Sequence, residues 1–180
     1  DKVLVFEPPR YGRDYSAGID TADGLNKEYS DRAVCNITQS AKGNFPDVQV
    51  AEFASLRVNP PQMVGFAACL AAWYGPMCRD ERGVKFCIEQ RERPGDDCQF
   101  QLKLMGFTFH HDMIGYDGKV IKEQSNKQGW YSNSWSVPLM MNRFVEAINN
   151  GWYLPNSKWL IAELQDLESV LERGKAKMTH

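Results

Sequence analysis

The chain has 180 residues, 43% of them hydrophobic and 12% aromatic, which suits one globular domain with a sizeable core and excludes a disordered chain. Its formal net charge of −2 argues against a protein coated all round by nucleic acid, although the whole-chain sum leaves room for a local basic groove. No apolar run approaches the roughly 20 residues that a membrane-spanning helix needs, so no membrane partner is expected. The five cysteines are odd in number and irregularly spaced, which favours free thiols in a reducing cytosol over a zinc ribbon or a disulfide framework.

The first third of the chain predicts strands. Residues 1–14 are expected to form an extended lead-in, because Pro8, Pro9 and Gly12 disfavour regular structure. Three strand-like runs follow, at Tyr15–Asp20, Arg32–Thr38 and Val48–Leu56. The short polar connection between the second and third runs favours an antiparallel meander.

The rest of the chain alternates between helices and extended segments. A helix is predicted to begin at Pro60 and to end at Gly75, and a fourth strand at Val84–Glu89. Further helices are predicted at Asp96–Met105, at Val137–Asn149, and from Asn156 or Ser157 to about Arg173. Between Phe107 and Gly129 the pattern is weak, and only its first five residues resemble a strand. This order predicts an α/β fold in which helices flank a mixed sheet.

Acidic residues end two of the predicted strands. Asp20 ends the first strand, with Asp23 and Glu28 on the turn that follows, and Glu89 ends the fourth. If the first and fourth strands are neighbours, both carboxylates converge at one end of the sheet, where they suit Mg²⁺ or Mn²⁺. A pair of such ions about 3.5–4 Å apart can activate water for phosphodiester hydrolysis. The alternative for each acid alone is a solvated charge at the end of a strand.

Three motifs, in order along the chain, carry a resemblance to a known family. The run Gly18-Ile-Asp-Thr-Ala-Asp-Gly-Leu-Asn-Lys-Glu-Tyr-Ser30 resembles the opening motif of the nuclease domain of tailed-bacteriophage terminase large subunits. Ile88-Glu-Gln90, after an apolar strand, is similar to the second acidic strand of that family. Gln128-Gly-Trp-Tyr-Ser-Asn-Ser134, followed by an amphipathic helix, resembles its downstream loop and helix.

The resemblance implies a ribonuclease H-like fold, with an antiparallel arrangement of the first three strands and parallel additions. It also implies metal-dependent cutting of double-stranded viral DNA concatemers during genome packaging, with little sequence specificity. Carried over by residue, Asp20 would be the central ligand of two Mg²⁺ or Mn²⁺ ions and Glu89 the second ligand. Glu28 would have at most an auxiliary place at the metal site, with a structural acid as the alternative.

The resemblance also sets expectations about domain organisation. The family places a third acidic ligand after the last helix, and this chain stops near His180, about where that segment should begin, so no residue is assigned to it. Residues 15–180 are therefore expected to be a single nuclease domain that stops before the third catalytic acid. No P-loop motif is present, so ATPase activity is not expected. Residues 1–14 would then be the linker from an ATPase domain that precedes the nuclease.

Basic and aromatic side chains near the acids are candidates for DNA contacts. The basic candidates could position phosphates or could simply be solvated, and they are Arg91, Arg93, Lys119, Lys122 and Lys127. Trp130 and Tyr131 are expected to pin their loop to the core rather than to stack on DNA. The other three tryptophans, Trp135, Trp152 and Trp159, are interpreted as packing residues.

The sequence leaves rival functions open. Within enzymes, the rival is another ribonuclease H-like nuclease, such as a junction resolvase or an RNA–DNA hybrid nuclease. From a different class, the domain could be a catalytically dormant module that docks DNA or the portal of the packaging motor. The resemblance further implies the portal and a small terminase subunit as partners, and the host bacterial cytoplasm as the location.

Overall fold

The computed structural model describes residues 2–21, 32–41, 43–89, 93–110, 128–134 and 136–165. Its strands are β1 (Val3–Val5), β2 (Tyr15–Asp20), β3 (Ala33–Gln39), β4 (Asp47–Ser55), β5 (Lys85–Ile88), β6 (Thr108–Phe109) and β7 (Tyr153–Leu154). Its helices are α1 (Pro60–Tyr74), a short 3₁₀ turn (Gly75–Met77), α2 (Arg93–Leu104), α3 (Ser136–Asn149) and a last helix that covers 158–165 in the described part of the chain.

The seven strands form one mixed sheet with the order β1-β4-β3-β2-β5-β6, and β7 also pairs with β4. Strands β2, β3 and β4 make an antiparallel meander, while β5 runs parallel to β2 and β6 parallel to β5. The predicted α/β fold with a mixed sheet and flanking helices, of the ribonuclease H-like kind, is thereby confirmed.

The two faces of the sheet differ in character. Alternate residues of the central strands, such as Ile19, Cys35 and Ile88, are buried in a single core beneath α1 and α2. The ring of Phe53 stacks on Phe66 of α1 at a centroid distance of 4.1 Å, which fixes this as the helix-covered face. Because side chains alternate along a strand, the residues between these point to the opposite side. We call that side the site face, since Asp20 lies on it.

The first fourteen residues contain more regular structure than the sequence predicts. Val3–Val5 pairs antiparallel with β4, and the hydroxyl of Tyr74 donates a 2.6 Å hydrogen bond to the carbonyl oxygen of Glu7. The backbone N–H of Arg10 donates to the hydroxyl of Tyr15. The expectation that prolines exclude a strand here was wrong at Val3–Val5, because both prolines follow the strand and leave its N–H groups available.

Helix α1 illustrates how local sequence fixes the element boundaries. Asn59 and Gln62 form a reciprocal capping box, and Pro60 occupies a first-turn position where no N–H is needed. Gly75 and Pro76 follow the last helical residue, so the helix has the bounds that the sequence predicts. Helix α2 begins at Arg93, three residues earlier than predicted, and Pro94 again takes a first-turn position. Within the described residues, no helix combines the length and the apolar character needed to cross a bilayer.

Candidate metal centre

Asp20 and Glu89 lie side by side at the carboxyl ends of two adjacent parallel strands. In the β2–β5 register Ile19 is opposite Ile88, and the N–H of Glu89 donates a 2.9 Å hydrogen bond to the carbonyl oxygen of Ile19. Ile19 and Ile88 are both buried in the core, so the next residue of each strand projects from the site face. Asp20 is exposed and Glu89 is partly exposed. The structure thus brings the two predicted acids together at one edge of the sheet.

The strand that carries Asp20 has an open surface on the site face. Gly18 lies two residues before Asp20 on that face, and it is exposed although β2 is a central strand. A Cβ atom built on Gly18 would meet no other atom within 4 Å. Its register partners are Asn36 on β3 and Cys87 on β5. Within the described part of the chain nothing covers Gly18, which leaves room for a ligand to approach the carboxylates along the sheet.

The loop 129–134 reaches the sheet beside Glu89. The N–H of Trp130 donates a 2.8 Å hydrogen bond to the carbonyl oxygen of Ile88, and Trp130 forms a parallel bridge with Glu89. Gly129 has φ +95°, a left-handed conformation that glycine adopts without strain, and this turn returns the chain to the sheet. These backbone bonds hold the loop to the sheet, while the expected anchoring by the Trp130 and Tyr131 rings stays a prediction.

The polar residues of this loop also begin α3. The side chain of Asn133 accepts a hydrogen bond from the N–H of Ser136, and the hydroxyl of Ser136 accepts one from the N–H of Asn133. This reciprocal pair satisfies two N–H groups that a helix start would otherwise leave unpaired. Asn133 of the predicted motif therefore has a structural purpose, which is to join the loop to the start of α3 through Ser136, a residue just beyond the motif.

Most of the predicted auxiliary residues lie outside the described part of the chain. This applies to Glu28, Arg91, Lys119, Lys122 and Lys127. Arg93 begins α2, but its side chain is also outside the described residues. Their assignments stay predictions. Trp152 and Trp159 are 58% and 55% exposed. Their interpretation as packing residues was therefore wrong, because more than half of each residue's surface faces solvent.

A polar pocket lies away from the two acids. It has a volume of about 450 Å³ and is lined at the amino-terminal ends of β2 and β5 by residues that include Ser16, Lys85 and His110. The imidazole Nε2 of His110 lies 3.0 Å from the hydroxyl of Ser16. Arg82 and Lys85 hold the pKa of Asp80 well below its usual range. Because ion pairs already occupy its charged groups and Asp20 and Glu89 do not line it, we place the chemistry at the two acids instead.

The donor set at the two acids suits a hard divalent cation. Carboxylate oxygens are the ligands that Mg²⁺ and Mn²⁺ prefer, and both side chains lie where water can complete the coordination. Among the residues that the structure describes, no group of three or more histidine, cysteine, aspartate or glutamate side chains is positioned for a metal. The two carboxylates therefore fit part of a metal site, and a further ligand would have to come from other residues.

Comparisons with solved structures identify the fold. The large terminase nuclease from thermophilic phage G20c is similar with a TM-score of 0.56 at 17% identity, over 91% of this chain and 70% of that one. The human cytomegalovirus terminase nuclease domain, Mn soaked and inhibitor bound, is similar with a TM-score of 0.52 at 7% identity, over 82% of this chain and 66% of that one. No protein-family model matches the chain, and no curated protein matches its sequence. The chain has the fold of a terminase nuclease domain.

Proposed function

We propose that this chain is the nuclease domain of a viral terminase and that it cuts double-stranded DNA with little sequence preference during genome packaging. The observation that carries this proposal is the position of Asp20 and Glu89 on neighbouring strand ends of an exposed sheet face. The fold supports it, because two solved domains that resemble the chain are terminase nucleases. That one of them was soaked with Mn supports the choice of a divalent ion as cofactor.

In this proposal Asp20 and Glu89 hold Mg²⁺ or Mn²⁺ through their carboxylate oxygens. When bound, a pair of such ions would supply an activated water and stabilise the leaving oxygen of the phosphodiester. The chain itself positions the carboxylates through the bond between Glu89 and Ile19, and it keeps the surface over Gly18 open for the duplex. No covalent bond between protein and DNA is required, because water is the nucleophile.

The proposal extends to the assembly in which the domain works. A third acidic ligand, a preceding ATPase domain, the portal and the small terminase subunit belong to it, with the host bacterial cytoplasm as the location. Since the third ligand is expected downstream of His180, the experiment needs a second chain that continues through the native downstream residues.

The test is cleavage of supercoiled plasmid in Mn²⁺, in Mg²⁺ and in EDTA, by the 180-residue chain and by its extended form. We expect the extended form to cut only with metal, and Asp20→Asn and Glu89→Gln to lower the rate at least about 100-fold. Asp97→Asn and Glu146→Gln are matched controls, since both acids are exposed on helices and should leave the rate unchanged.

A panel of duplex, RNA–DNA hybrid and four-way junction substrates then separates the rival nucleases. Preference for the duplex supports the terminase function, whereas preference for a hybrid or a junction would replace it. Metal-independent DNA binding without any cutting by the extended form would favour the dormant docking module.

A further inference from the structure

Arg32 lies at the same end of the sheet as Asp20 and on the same face. It directly precedes β3, in which Val34 is the register partner of Asp20. Continuing this register by two residues puts Arg32 diagonal to Asp20, at a Cα separation of roughly 7–8 Å. The arginine side chain is long enough to reach the space beside the Asp20 carboxylate.

The contact that holds Arg32 comes from the last helix. The guanidinium carbon of Arg32 lies 4.5 Å from the ring centroid of Trp159, within the range of a cation–π contact. Trp159 is 55% exposed, so the contact lies at the surface rather than in the core. Arg32 itself is partly exposed.

Hydrogen bonds to two buried side chains of β4 anchor the start of that helix. The hydroxyl of Ser157 donates to the buried carboxylate of Glu52, and the side-chain oxygen of Gln49 accepts from the N–H groups of Asn156 and Ser157. Glu52 is the register partner of Asn36, on the site face. Trp159 is therefore carried by a helix whose start is hydrogen-bonded to the sheet.

The N–H groups of Arg32 are not used within the described residues. No carboxylate or other acceptor among residues 2–21, 32–41, 43–89, 93–110, 128–134 and 136–165 takes a hydrogen bond from its side chain. Arg10, Arg79 and Arg82, by contrast, each form an ion pair with a nearby acid. A guanidinium that is supported on one side by a ring, and that has no acceptor among the described residues, is arranged to bind an anion.

We propose that Arg32, supported by Trp159, binds a DNA backbone phosphate next to the Asp20–Glu89 pair and so positions the duplex for cutting. This inference rests on the proposed function. Two carboxylates at the end of the sheet repel phosphates, and a cation on the neighbouring strand, diagonal to Asp20, offsets that repulsion where the DNA strand must approach. The net charge of −2 means that attraction to DNA has to come from such local cations. The planar guanidinium suits two phosphate oxygens, and it carries no information about base sequence.

The test measures binding of a short duplex in EDTA by the extended chain carrying Asp20→Asn, at several salt concentrations. Adding Arg32→Gln should lower the affinity roughly tenfold and reduce the salt slope by about one. Arg32→Lys should keep most of the slope, since the charge remains. Arg82→Gln is the matched control, because Arg82 is exposed and paired with Asp80 near the opposite end of β5, and it should change neither quantity.

A purely structural role predicts a different outcome. If Arg32 only fastens the last helix, Arg32→Gln would lower the urea midpoint while leaving the affinity and the salt slope of the folded protein unchanged, and the proposal would be overturned. Should that variant not fold, Trp159→Phe and Trp159→Ala decide, since they keep Arg32. An affinity for the duplex that is lower in Trp159→Phe than in the parent chain, and lower still in Trp159→Ala, supports the proposal. An unchanged affinity in both variants overturns it. A negative outcome of these binding experiments would not decide the metal-dependent cutting test, because that test depends on the Asp20 and Glu89 variants.

Discussion

The N–H of Glu89 donates to the carbonyl oxygen of Ile19, and this backbone bond belongs to the register that places Asp20 and Glu89 on adjacent strand ends. A slip of one residue in either strand would turn its acid into the core and its isoleucine out to solvent. Since Ile19 and Ile88 are both buried, the hydrophobic core itself enforces the register that the candidate metal site needs.

Gly18 tests whether the open site face is where DNA lies. Gly18→Ala should keep stability and cleavage, because a Cβ there meets nothing within 4 Å. Gly18→Trp should leave the fold intact but lower plasmid cleavage at least about tenfold, because the ring would fill the approach to Asp20. Cleavage rates of the extended chain, with urea unfolding as a control for stability, measure both variants. Full activity in Gly18→Trp would mean that DNA approaches from elsewhere.

The start of the last helix provides a prediction about stability. Gln49 is fully buried, and Gln49→Ala removes the acceptor of the Asn156 and Ser157 N–H groups and a donor to the buried Glu52. We expect the free energy of unfolding to fall by about 2–4 kcal/mol, because each buried group left without a partner costs about 1–3 kcal/mol. Gln165→Ala, an exposed position of the same helix, should change it by less than about 0.5 kcal/mol. Equal urea curves for the two variants would show that the network adds nothing.

Much of the local structure follows from the sequence. The elements that the sequence does not predict are those that depend on pairing with distant residues. The bounds of α1 are encoded by Asn59, by Pro60 and by Gly75, and alternation alone predicts β2 to the residue. Strand β1 escapes prediction because its three residues are exposed and gain their structure only from pairing with β4, nearly fifty residues away. Strand β7 is two residues long and depends on the same distant partner.

The candidate site, too, is predictable from the sequence only in its local features. The acids at the ends of their strands can be identified from the sequence, but that the strands are adjacent is a property of the whole sheet. The contact between Arg32 and Trp159 joins residues more than a hundred positions apart, and no periodicity signals it. From the sequence, Trp159 is interpreted as a packing residue because tryptophan is highly buried on average. In the structure the residue is about half exposed, and its ring contacts the guanidinium of Arg32.

The buried thiols predict how stability depends on alkaline pH. Burial raises the pKa of the Cys35 thiol from 9.0 to about 12, and burial does the same for Cys98. Because the unfolded chain releases these protons near pH 9 while the folded chain retains them, their stabilising contribution is complete below pH 9 and is lost as the pH rises toward 12. Each thiol lowers the free energy of unfolding by up to about 1.4 kcal/mol per pH unit in that window.

Urea unfolding from about pH 8 to about pH 11 measures this slope. Cys98→Ala should make the decline shallower, since one of the two buried thiols is gone. Cys69→Ala should not, because that cysteine is exposed. A slope that is identical in all three proteins would contradict the assignment to buried thiols.

Tyr74 tests whether the first residues belong to the folded domain. Its hydroxyl donates to the carbonyl oxygen of Glu7, so Tyr74→Phe should lower the free energy of unfolding by about 1–2 kcal/mol and speed proteolysis near the amino terminus. Tyr11→Phe is the matched control, because that ring is 86% exposed. Equal proteolysis rates in the two variants would show that this hydrogen bond does not hold residues 2–10 to the domain.

Mn²⁺ binding measured by electron paramagnetic resonance tests the central claim most directly, because it reports on the two carboxylates without requiring DNA. We predict that the extended chain binds Mn²⁺, that Asp20→Asn and Glu89→Gln each weaken binding at least about tenfold, and that Asp97→Asn binds as the unchanged chain does. Undiminished Mn²⁺ binding in the Asp20→Asn, Glu89→Gln double variant would contradict the account, since the metal would then be held by other residues.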